Sequence, residues 1–170
     1  MSTRHTVVDT TLGSITLVAH GDAIRGLCFR HHIRRPAQEM FGLEASIVDD
    51  TLLAEASGQL VDYLAGRRRE FGLPCAAEGD AFQHAVWSIV SEIPFGETTT
   101  YGRIAERLGD RALAHRVGQA VGANPLCIIV PCHRVLGVNG SLTGYAGGLE
   151  RKRALLVLEE PAQVSAGRLF

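Results

Sequence analysis

The sequence predicts a protein of the α/β (α+β) class: a small N-terminal antiparallel sheet with a helix, followed by a mainly helical C-terminal part that contains a helix-turn-helix. Two observations predict this division. Short β-like runs stand before residue 30, whereas apolar residues at helical spacing dominate after residue 80. The length of 170 residues and the hydrophobic fraction of 46% suit one compact domain or two small domains that share an interface.

The first predicted elements form an antiparallel hairpin. Residues 14–20 alternate polar and apolar side chains, residues 23–29 form a second β-like run, and a turn at Gly21 joins them. Residues 5–9 supply a third strand. A helix starts at Asp50. Its apolar stripe at helical spacing consists of Leu53, Ala56, Leu60, Tyr63 and Leu64.

We expect two domains separated by a linker. Residues 74–79 carry Pro, Gly and small side chains, which are typical of a connection. The expected boundaries are therefore 1–74 for an N-terminal α/β domain, 75–79 for the linker, 80–160 for a second domain and 161–170 for a tail without a clear pattern.

The second domain begins with a helix. Asp80 stands three residues before Gln83, as in a capping box, and Pro94 ends the helix. The apolar face of this helix consists of Phe82, Val86, Ile89, Val90 and Ile93.

Two short helices then follow around a glycine turn. Thr100 caps a helix over 101–108 that stops at Gly109, and a second helix runs over about 111–121. The apolar stripe of this second helix consists of Leu113, Val117, Ala120 and Val121. The pair resembles a helix-turn-helix, whose second helix enters a DNA groove, but packed helices with a glycine turn also occur without any DNA function.

The outer face of the second short helix carries little positive charge. At about 100° per residue, His115 points away from the apolar stripe, beside Ala112 and Gln119, and Arg116 lies on the flank. A net charge of -1 argues against a general polyanion binder, although basic residues outnumber acidic ones within 81–170. This face is compatible with approach to a groove, without a strong electrostatic signal.

Composition also bounds the compartment and the metal content. No apolar run is long enough to span a bilayer and no signal-peptide pattern is present, so we expect a soluble, cytoplasmic protein without a membrane partner. Cys28, His31 and His32 cluster loosely, but their spacing fits no zinc site, so we predict no metal. Cys127, inside an apolar run, is interpreted as a buried thiol.

The predicted chemical centre lies where that apolar run ends. Residues 126–130 are followed directly by Pro-Cys-His-Arg, with the thiol at Cys132. A thiol reacts as its thiolate, and a neighbouring base or positive charge raises the thiolate fraction. His133 is the nearest base, and a bridging water would link it to Cys132 because adjacent residues of an extended segment point apart. Glu159 or Glu160 would orient the imidazole.

These residues resemble a known family. The heptapeptide Ile-Val-Pro-Cys-His-Arg-Val at 129–135 is similar to the active-site signature of the O6-alkylguanine-DNA alkyltransferases, or methylated-DNA–protein-cysteine methyltransferases. The resemblance covers about residues 80–160, in order and with the expected spacing. Further matching segments are 82–87, 93–98, 100–102, 117–118, 124–125, 143–148 and 152–156.

The resemblance implies a specific reaction. Members of the family flip an O6-alkylguanine out of duplex DNA and move the alkyl group to their own cysteine. The thioether is not regenerated, so each molecule acts once and needs no cofactor. The implied partner of residues 80–160 is double-stranded DNA containing alkylated guanine. Activity on O4-alkylthymine, and clustering of the expected monomer on DNA, stay open.

The resemblance also implies roles for individual residues. Cys132 is the alkyl acceptor, His133 the water-linked base and Glu159 its orienting carboxylate. Tyr101 would lie by the flipped base and donate its hydroxyl to the leaving guanine or its phosphate. Asn124 would hold the turn that joins the recognition helix to the active-site strand.

Three further residues are implied to surround the base. The backbone around Val135 and the loop at Tyr145 and Ala146 would line the pocket and read the guanine edge. The glycines within 144–148 would allow the backbone to approach the base closely.

The sequence departs from the family pattern in the recognition helix. Relatives carry an arginine there, which enters the stack where the base was. Counted back from Cys132, this sequence has His115 at that position. Either His115 fills the gap less firmly, or a local rotation of the helix brings Arg116 round.

Two other function classes stay open at this point. A non-catalytic lesion-binding relative would lack the acceptor thiol that Cys132 supplies. A cysteine hydrolase built on Cys132 and His133 would be expected to have its histidine far away in the sequence and no helix-turn-helix.

Overall fold

The computed structural model describes residues 2–30 and 36–161. Its N-terminal sheet contains four strands in the order β3-β2-β1-β4: β1 (Thr3–Thr10), β2 (Gly13–His20), β3 (Ala23–Phe29) and β4 (Leu43–Glu44). The predicted hairpin and third strand are confirmed as three antiparallel strands. The sheet is nevertheless mixed, because β4 pairs parallel with β1. This two-residue strand is exposed on both faces, and it has no alternation of apolar and polar residues from which a strand could be predicted.

One helix packs on this sheet. The helix α1 (Thr51–Leu64) begins at the predicted cap, where the Asp50 carboxylate accepts a hydrogen bond from the amide of Leu53. The predicted stripe turns inward, with Leu53, Leu60 and Tyr63 buried against the strands. Burial of these side chains holds the helix in place, since an isolated helix of this length is marginal in water.

The C-terminal part contains four helices: α2 (Ala81–Ser91), α3 (Tyr101–Arg107), α4 (Ala114–Gly122) and α5 (Leu149–Glu159). Asp80 and Gln83 form the predicted capping box of α2, and Thr100 caps α3. The second short helix was expected from residue 111. The structure has a 3₁₀ turn at Arg111–Leu113 before α4, because the carboxylate of Asp110 caps that turn separately.

The helix pair α3 and α4 has the predicted helix-turn-helix arrangement. Val117, Ala120 and Val121 of α4 are buried, as the stripe predicts. The indole nitrogen of Trp87 in α2 donates to the carbonyl oxygen of Ala120 at 2.8 Å, so α2 packs against the buried face of α4. The outer face of α4 is left exposed.

A short parallel ladder, which the sequence did not predict, joins this helix pair to the chemical centre. It consists of β5 (Thr99–Thr100) and β6 (Val135–Leu136). Since α3 begins directly after β5 and β6 follows the Cys-His-Arg segment, the ladder brings the start of α3 next to that segment.

The two halves of the chain share one hydrophobic core. Its members include Leu27 and Phe29 of β3 as well as Val86 of α2 and Leu155 of α5. The amide of Leu27 also donates to the carbonyl oxygen of Pro125 at 2.9 Å. The sheet therefore supports the loop that leads to Cys132. Among the described residues, no helix has the length and apolarity that a bilayer crossing requires.

Candidate active site

The segment before Cys132 is a tight turn and not the expected strand. Ile128 has a φ of 73°, in a region that β-branched residues rarely adopt. The amide of Val130 donates back to the carbonyl oxygen of Leu126 at 2.8 Å, which closes the turn. An apolar run indicates burial but not direction, so the sequence could not distinguish this buried turn from a buried strand.

Asn124 holds this turn from inside. Its side-chain oxygen accepts from the amide of Leu126 at 2.9 Å, and its side-chain nitrogen donates to the carbonyl oxygen of Val130 at 3.0 Å. Asn124 itself is buried at the end of α4. This placement links the helix-turn-helix rigidly to the segment that carries Cys132.

Cys132 starts a 3₁₀ turn, Cys132–Arg134, and is a free thiol that is only 3% exposed. A hydrogen bond with the Cys127 thiol lowers the pKa of Cys132, and Asn124 and the positive charge of Lys152 act in the same direction. Burial raises the pKa of Cys132, but by less than these interactions lower it. The turn also changes the expected geometry, because residues 132 and 133 are helical and not extended.

The carboxylate of Glu159 is the hub of the buried polar network. His133 contacts it through Nε2 at 2.8 Å, and Arg134 donates to it from Nε at 2.7 Å and from Nη2 at 2.8 Å. The hydroxyl of Tyr63 in α1 donates to the same carboxylate. Burial alone would raise the pKa of Glu159, but the hydrogen bonds from Arg134 and His133 outweigh it and hold the pKa at about 2.

His133 is neutral in this environment. Its side chain is fully buried, and this burial lowers its pKa although Glu159 acts against the shift. With Nε2 donating to Glu159, Nδ1 is the nitrogen that can accept a proton, and it has no hydrogen-bond partner among residues 2–30 and 36–161. The imidazole therefore has the protonation state that a general base needs.

Lys152 in α5 ties the surrounding loops together. Its ammonium group donates to the carbonyl oxygens of Val135 at 2.6 Å and Thr143 at 2.8 Å. Burial lowers the pKa of Lys152 to about 8, so it still carries a positive charge at neutral pH. The charge lies close enough to Cys132 to favour its thiolate.

A solvent-open concavity lies between the helix-turn-helix and the glycine-rich loop. Its volume is about 670 Å³, enough for a nucleobase, and Tyr101, His115, Tyr145 and Ala146 line it. The hydroxyl of Tyr101 donates to the carbonyl oxygen of Thr143 at 3.1 Å. Burial raises the pKa of the Tyr101 and Tyr145 hydroxyls, and the charge of the Cys132 sulfur acts in the same direction. Cys132 therefore lies near both tyrosines, although it does not line the concavity itself.

The structure separates His115 from Arg116. His115 is exposed in the wall of the concavity, whereas the guanidinium of Arg116 lies 4.1 Å from the centre of the Phe82 ring. Arg116 is therefore held against α2 by a cation–π contact. In the structure it is therefore His115, and not Arg116, that lines the concavity.

Most of the predicted site residues come together. The backbone around Val135, which the resemblance implies as pocket lining, reaches the concavity at Gly137 and not at Val135 itself. Val135 is fully buried, does not line the concavity, and its carbonyl oxygen already accepts from Lys152. Tyr63, predicted only as part of the apolar stripe of α1, and Arg134, the last residue of the Pro-Cys-His-Arg motif, both bind Glu159 in the structure. No local signal connects Tyr63 to residues 96 positions away.

No group of three or more His, Cys, Asp or Glu side chains able to hold a metal occurs within 2–30 and 36–161. His31 and His32, which the sequence analysis weighed as ligands with Cys28, lie outside the described residues.

Two family profiles match the chain. The DNA binding domain of 6-O-methylguanine DNA methyltransferase matches residues 81–161, and the ribonuclease-like domain of the same family matches residues 3–77. Together they span both halves of the fold described above.

The chain is also similar to curated proteins over most of its length. The methylated-DNA–protein-cysteine methyltransferase of Mycobacterium tuberculosis is 40% identical over 157 residues, which cover 92% of each chain. The inducible methyltransferase of the same kind from Bacillus subtilis is 42% identical over 146 residues, or 82% of each chain.

Solved structures give the same result. The crystal structure of Mycobacterium tuberculosis OGT in complex with DNA superposes with a TM-score of 0.82 at 39% identity, covering 95% of this chain and 98% of that one. An O6-methylguanine DNA methyltransferase from Methanococcus jannaschii superposes with a TM-score of 0.62 at 27% identity, covering 96% and 95% of the two chains.

Proposed function

This chain belongs to the 6-O-methylguanine DNA methyltransferase family of methylated-DNA–protein-cysteine methyltransferases, and on that basis we propose that it repairs alkylated guanine in duplex DNA by moving the alkyl group from O6 to the sulfur of Cys132. Each molecule acts once. The chain works as a monomer without a cofactor, and the target base leaves the helix to enter the concavity beside Tyr101.

The observation that carries this proposal is the environment of one thiol. Cys132 is buried, free and has a lowered pKa, next to a concavity bordered by a helix-turn-helix. A structural buried thiol in apolar surroundings would have its pKa raised instead. The favoured thiolate is the nucleophile that displacement at an alkyl carbon requires.

The reaction begins with ionisation of the thiol. Neutral His133 takes the proton of Cys132 at Nδ1 through a water molecule. Its Nε2–H group remains hydrogen-bonded to the carboxylate of Glu159. The carboxylate fixes this tautomer and stabilises the imidazolium that forms. Arg134 and Tyr63 prevent Glu159 from taking the proton itself, because they hold it as a carboxylate.

Transfer then follows as an in-line displacement. The sulfur of Cys132 forms a bond to the alkyl carbon as the bond between that carbon and O6 breaks, and the electron pair stays on the guanine. The Tyr101 hydroxyl donates to the leaving base, for which it exchanges its contact with the Thr143 carbonyl oxygen. A base in the concavity contacts Tyr101 and Tyr145, and the Cys132 sulfur lies close enough to both side chains for its charge to act on their hydroxyls.

Duplex recognition uses the helix pair. The exposed face of α4 enters a groove, and His115 occupies the gap that the base leaves. Tyr145 and Ala146 contact the flipped base. Contacts to phosphates position the protein and carry no sequence information, so the lesion in the pocket supplies the specificity. Activity on O4-alkylthymine, which the sequence leaves open, is assayed with the same duplex design.

The experiment that tests this function is an intact-mass measurement. The protein is incubated with an excess of a duplex containing one O6-methylguanine, and a duplex of the same sequence with guanine serves as the control. We expect a gain of one methyl group per chain with the damaged duplex only, and none for Cys132→Ser. Binding without a mass gain would identify a lesion-binding protein instead.

A further inference from the structure

The base-binding loop, residues 145–147, is held on both sides by neighbouring residues of α5. Before the loop, the ammonium group of Lys152 donates to the carbonyl oxygen of Thr143 at 2.8 Å. At the end of the loop, Nη1 of Arg151 donates to the carbonyl oxygen of Gly147 at 2.9 Å. The Lys152 contact stays within the C-terminal half of the chain, and the reaction proposed above gives Arg151 no task.

The guanidinium of Arg151 also binds the N-terminal sheet. Its Nε donates to the carbonyl oxygen of Leu12 at 2.9 Å, in the turn between β1 and β2. Its central carbon lies 4.9 Å from the centre of the Phe29 ring in β3, a cation–π contact. Arg151 is half-buried at this junction. One side chain therefore joins the sheet to the base-binding loop.

The sheet side of this junction is itself well ordered by contacts. The hydroxyl of Thr10 donates to the carbonyl oxygen of Gly13 at 2.7 Å and accepts from the amide of Leu12 at 3.0 Å, which closes the turn. Phe29 is fully buried, and its ring packs edge-on with the ring of Tyr145 in the loop. The turn and the strand thus present a carbonyl oxygen and an aromatic ring in fixed places to the guanidinium.

We propose that Arg151 is a positioning residue for methyl transfer: its guanidinium binds the carbonyl oxygens of Leu12 and Gly147 together and so fixes the base-binding loop on the N-terminal sheet. The inference rests on the proposed function in taking the loop as a wall of the site for the flipped base. It gives the β1–β2 turn a task in the reaction, although this turn lies outside the DNA-binding half of the chain.

The chemistry of the junction requires an arginine. The two acceptors belong to segments far apart in the sequence, and the planar guanidinium carries donors in a fixed fork that reaches both. The single ammonium group of a lysine cannot take both places. The reaction is sensitive to this placement, because a shift of about 1 Å in a group that orients the substrate can cost a large part of the rate.

The test compares the parent with Arg151→Met and Arg151→Lys, and Arg153→Met is the matched control. Arg153 lies on the same helix and is exposed, so its replacement removes the same charge from the outer side of α5. Single-turnover methyl transfer is measured as a function of concentration for two substrates, the O6-methylguanine duplex and the free nucleoside O6-methyl-2′-deoxyguanosine. Affinity for undamaged duplex and backbone hydrogen–deuterium exchange are measured on the same proteins.

The nucleoside separates the loop from the duplex, since it can bind only through the concavity. Arg151→Met should lower the limiting rate about tenfold with both substrates, and leave the affinity for undamaged duplex unchanged. Arg151→Lys should also stay clearly below the parent rate, and it decides the question if Arg151→Met does not fold. Exchange over residues 143–148 should become faster in Arg151→Met while exchange in α1 stays the same. Arg153→Met should match the parent throughout.

Four results would overturn the proposal. The first is a limiting rate of Arg151→Met equal to that of the parent with both substrates, and the second is Arg151→Lys at the parent rate. The third is a deficit confined to the duplex, which would mean that Arg151 contacts DNA. The fourth is unchanged exchange over residues 143–148. The proposed function fails separately, through a parent protein that gains no methyl group from either substrate, and the exchange measurement then still decides whether Arg151 holds the loop.

Discussion

Glu159 is the residue on which the stability of the site depends most. Its carboxylate is buried and faces Tyr63 of α1 and the adjacent residues His133 and Arg134, which come from two separate parts of the chain. A buried anion with good partners is stable, but removal of one member leaves its partners buried and uncompensated.

We predict that Glu159→Gln destabilises the protein by about 3 kcal/mol or more at pH 7, since it leaves the buried Arg134 guanidinium unpaired. Urea unfolding measures this difference. Because the folded pKa of about 2 lies below the unfolded value of about 4.3, the stabilisation by Glu159 is complete above the unfolded pKa and is lost as pH falls towards 2. The gap between parent and variant should therefore narrow below pH 4. Equal stabilities at pH 7 would contradict this account of the network.

His115 is the second residue with a specific expectation. It lies in the wall of the concavity, and an imidazole is a smaller and weaker filler of a base-sized gap than a guanidinium. We predict that His115→Arg tightens binding to lesion DNA or speeds repair by several-fold. Gel-shift titration and single-turnover rates measure the two effects. Arg116→Ala is the control, because Arg116 packs on Phe82, and it should change neither quantity. A His115→Arg protein identical to the parent in both assays would show that residue 115 does not occupy the gap that the base leaves.

At the residue scale, the sequence could predict the roles of side chains that stand together in one short motif. Cys132 and His133 are adjacent, and Glu159 lies at the end of a predictable helix. Tyr63 and Lys152 could not be found in the same way, because their contacts to Glu159 and to the Val135 carbonyl depend on how separate elements pack. Long-range contacts of this kind leave no periodic trace in the sequence.

At the scale of elements, the glycine-rich loop leaves no room for a side chain at Gly147. The resemblance explains the glycines of this loop by the close approach of the base, but the structure gives a different reason at this position. A Cβ on Gly147 would lie 2.5 Å from the Phe29 ring and 2.8 Å from the Tyr145 ring. The close approach at this glycine is therefore to strand β3. Phe29 and Tyr145 also form an edge-to-face pair with centroids 6.1 Å apart.

We predict that Gly147→Ala displaces the loop that carries Tyr145 and Ala146 and slows methyl transfer by at least about tenfold, since small misplacements of a binding wall are costly to rate. Single-turnover kinetics measure the effect. Gly58→Ala in α1 is the matched control, because a Cβ there meets no atom within 4 Å and alanine favours a helix. If both variants react at the parent rate, the loop does not border the reacting base.

The element scale also shows where sequence reasoning succeeds. Helices α1, α2 and α3 start at Asp50, Asp80 and Thr100 as predicted, because capping signals are local. The segment 126–130 was expected as a strand, and the structure has a turn there. The two-residue strands β4, β5 and β6 were not predicted, since strands this short form only where the fold brings their partners.

At the scale of the whole molecule, charge decides how the protein meets DNA. The net charge is only -1, yet basic residues exceed acidic ones after residue 80. We predict that affinity for duplex DNA falls as salt concentration rises, with a log–log slope of about -0.9 for each neutralised phosphate. Fluorescence anisotropy titrations measure this slope.

Lesion-containing and undamaged duplexes of one sequence should give the same slope. The reason is that phosphate contacts are common to both, whereas the preference for the lesion that we propose depends on contacts in the concavity. An affinity that does not change with salt would mean that the protein holds DNA without phosphate contacts.

The central claim is that one particular sulfur accepts the alkyl group, although a second buried cysteine, Cys127, lies five positions earlier in the chain. The most direct test is fragment mass spectrometry of the protein after reaction with excess O6-methylguanine duplex. The account predicts a single methyl group on Cys132, none on Cys127, and no further gain with time. A methyl group on Cys127, or a chain that consumes more than one lesion, would contradict it.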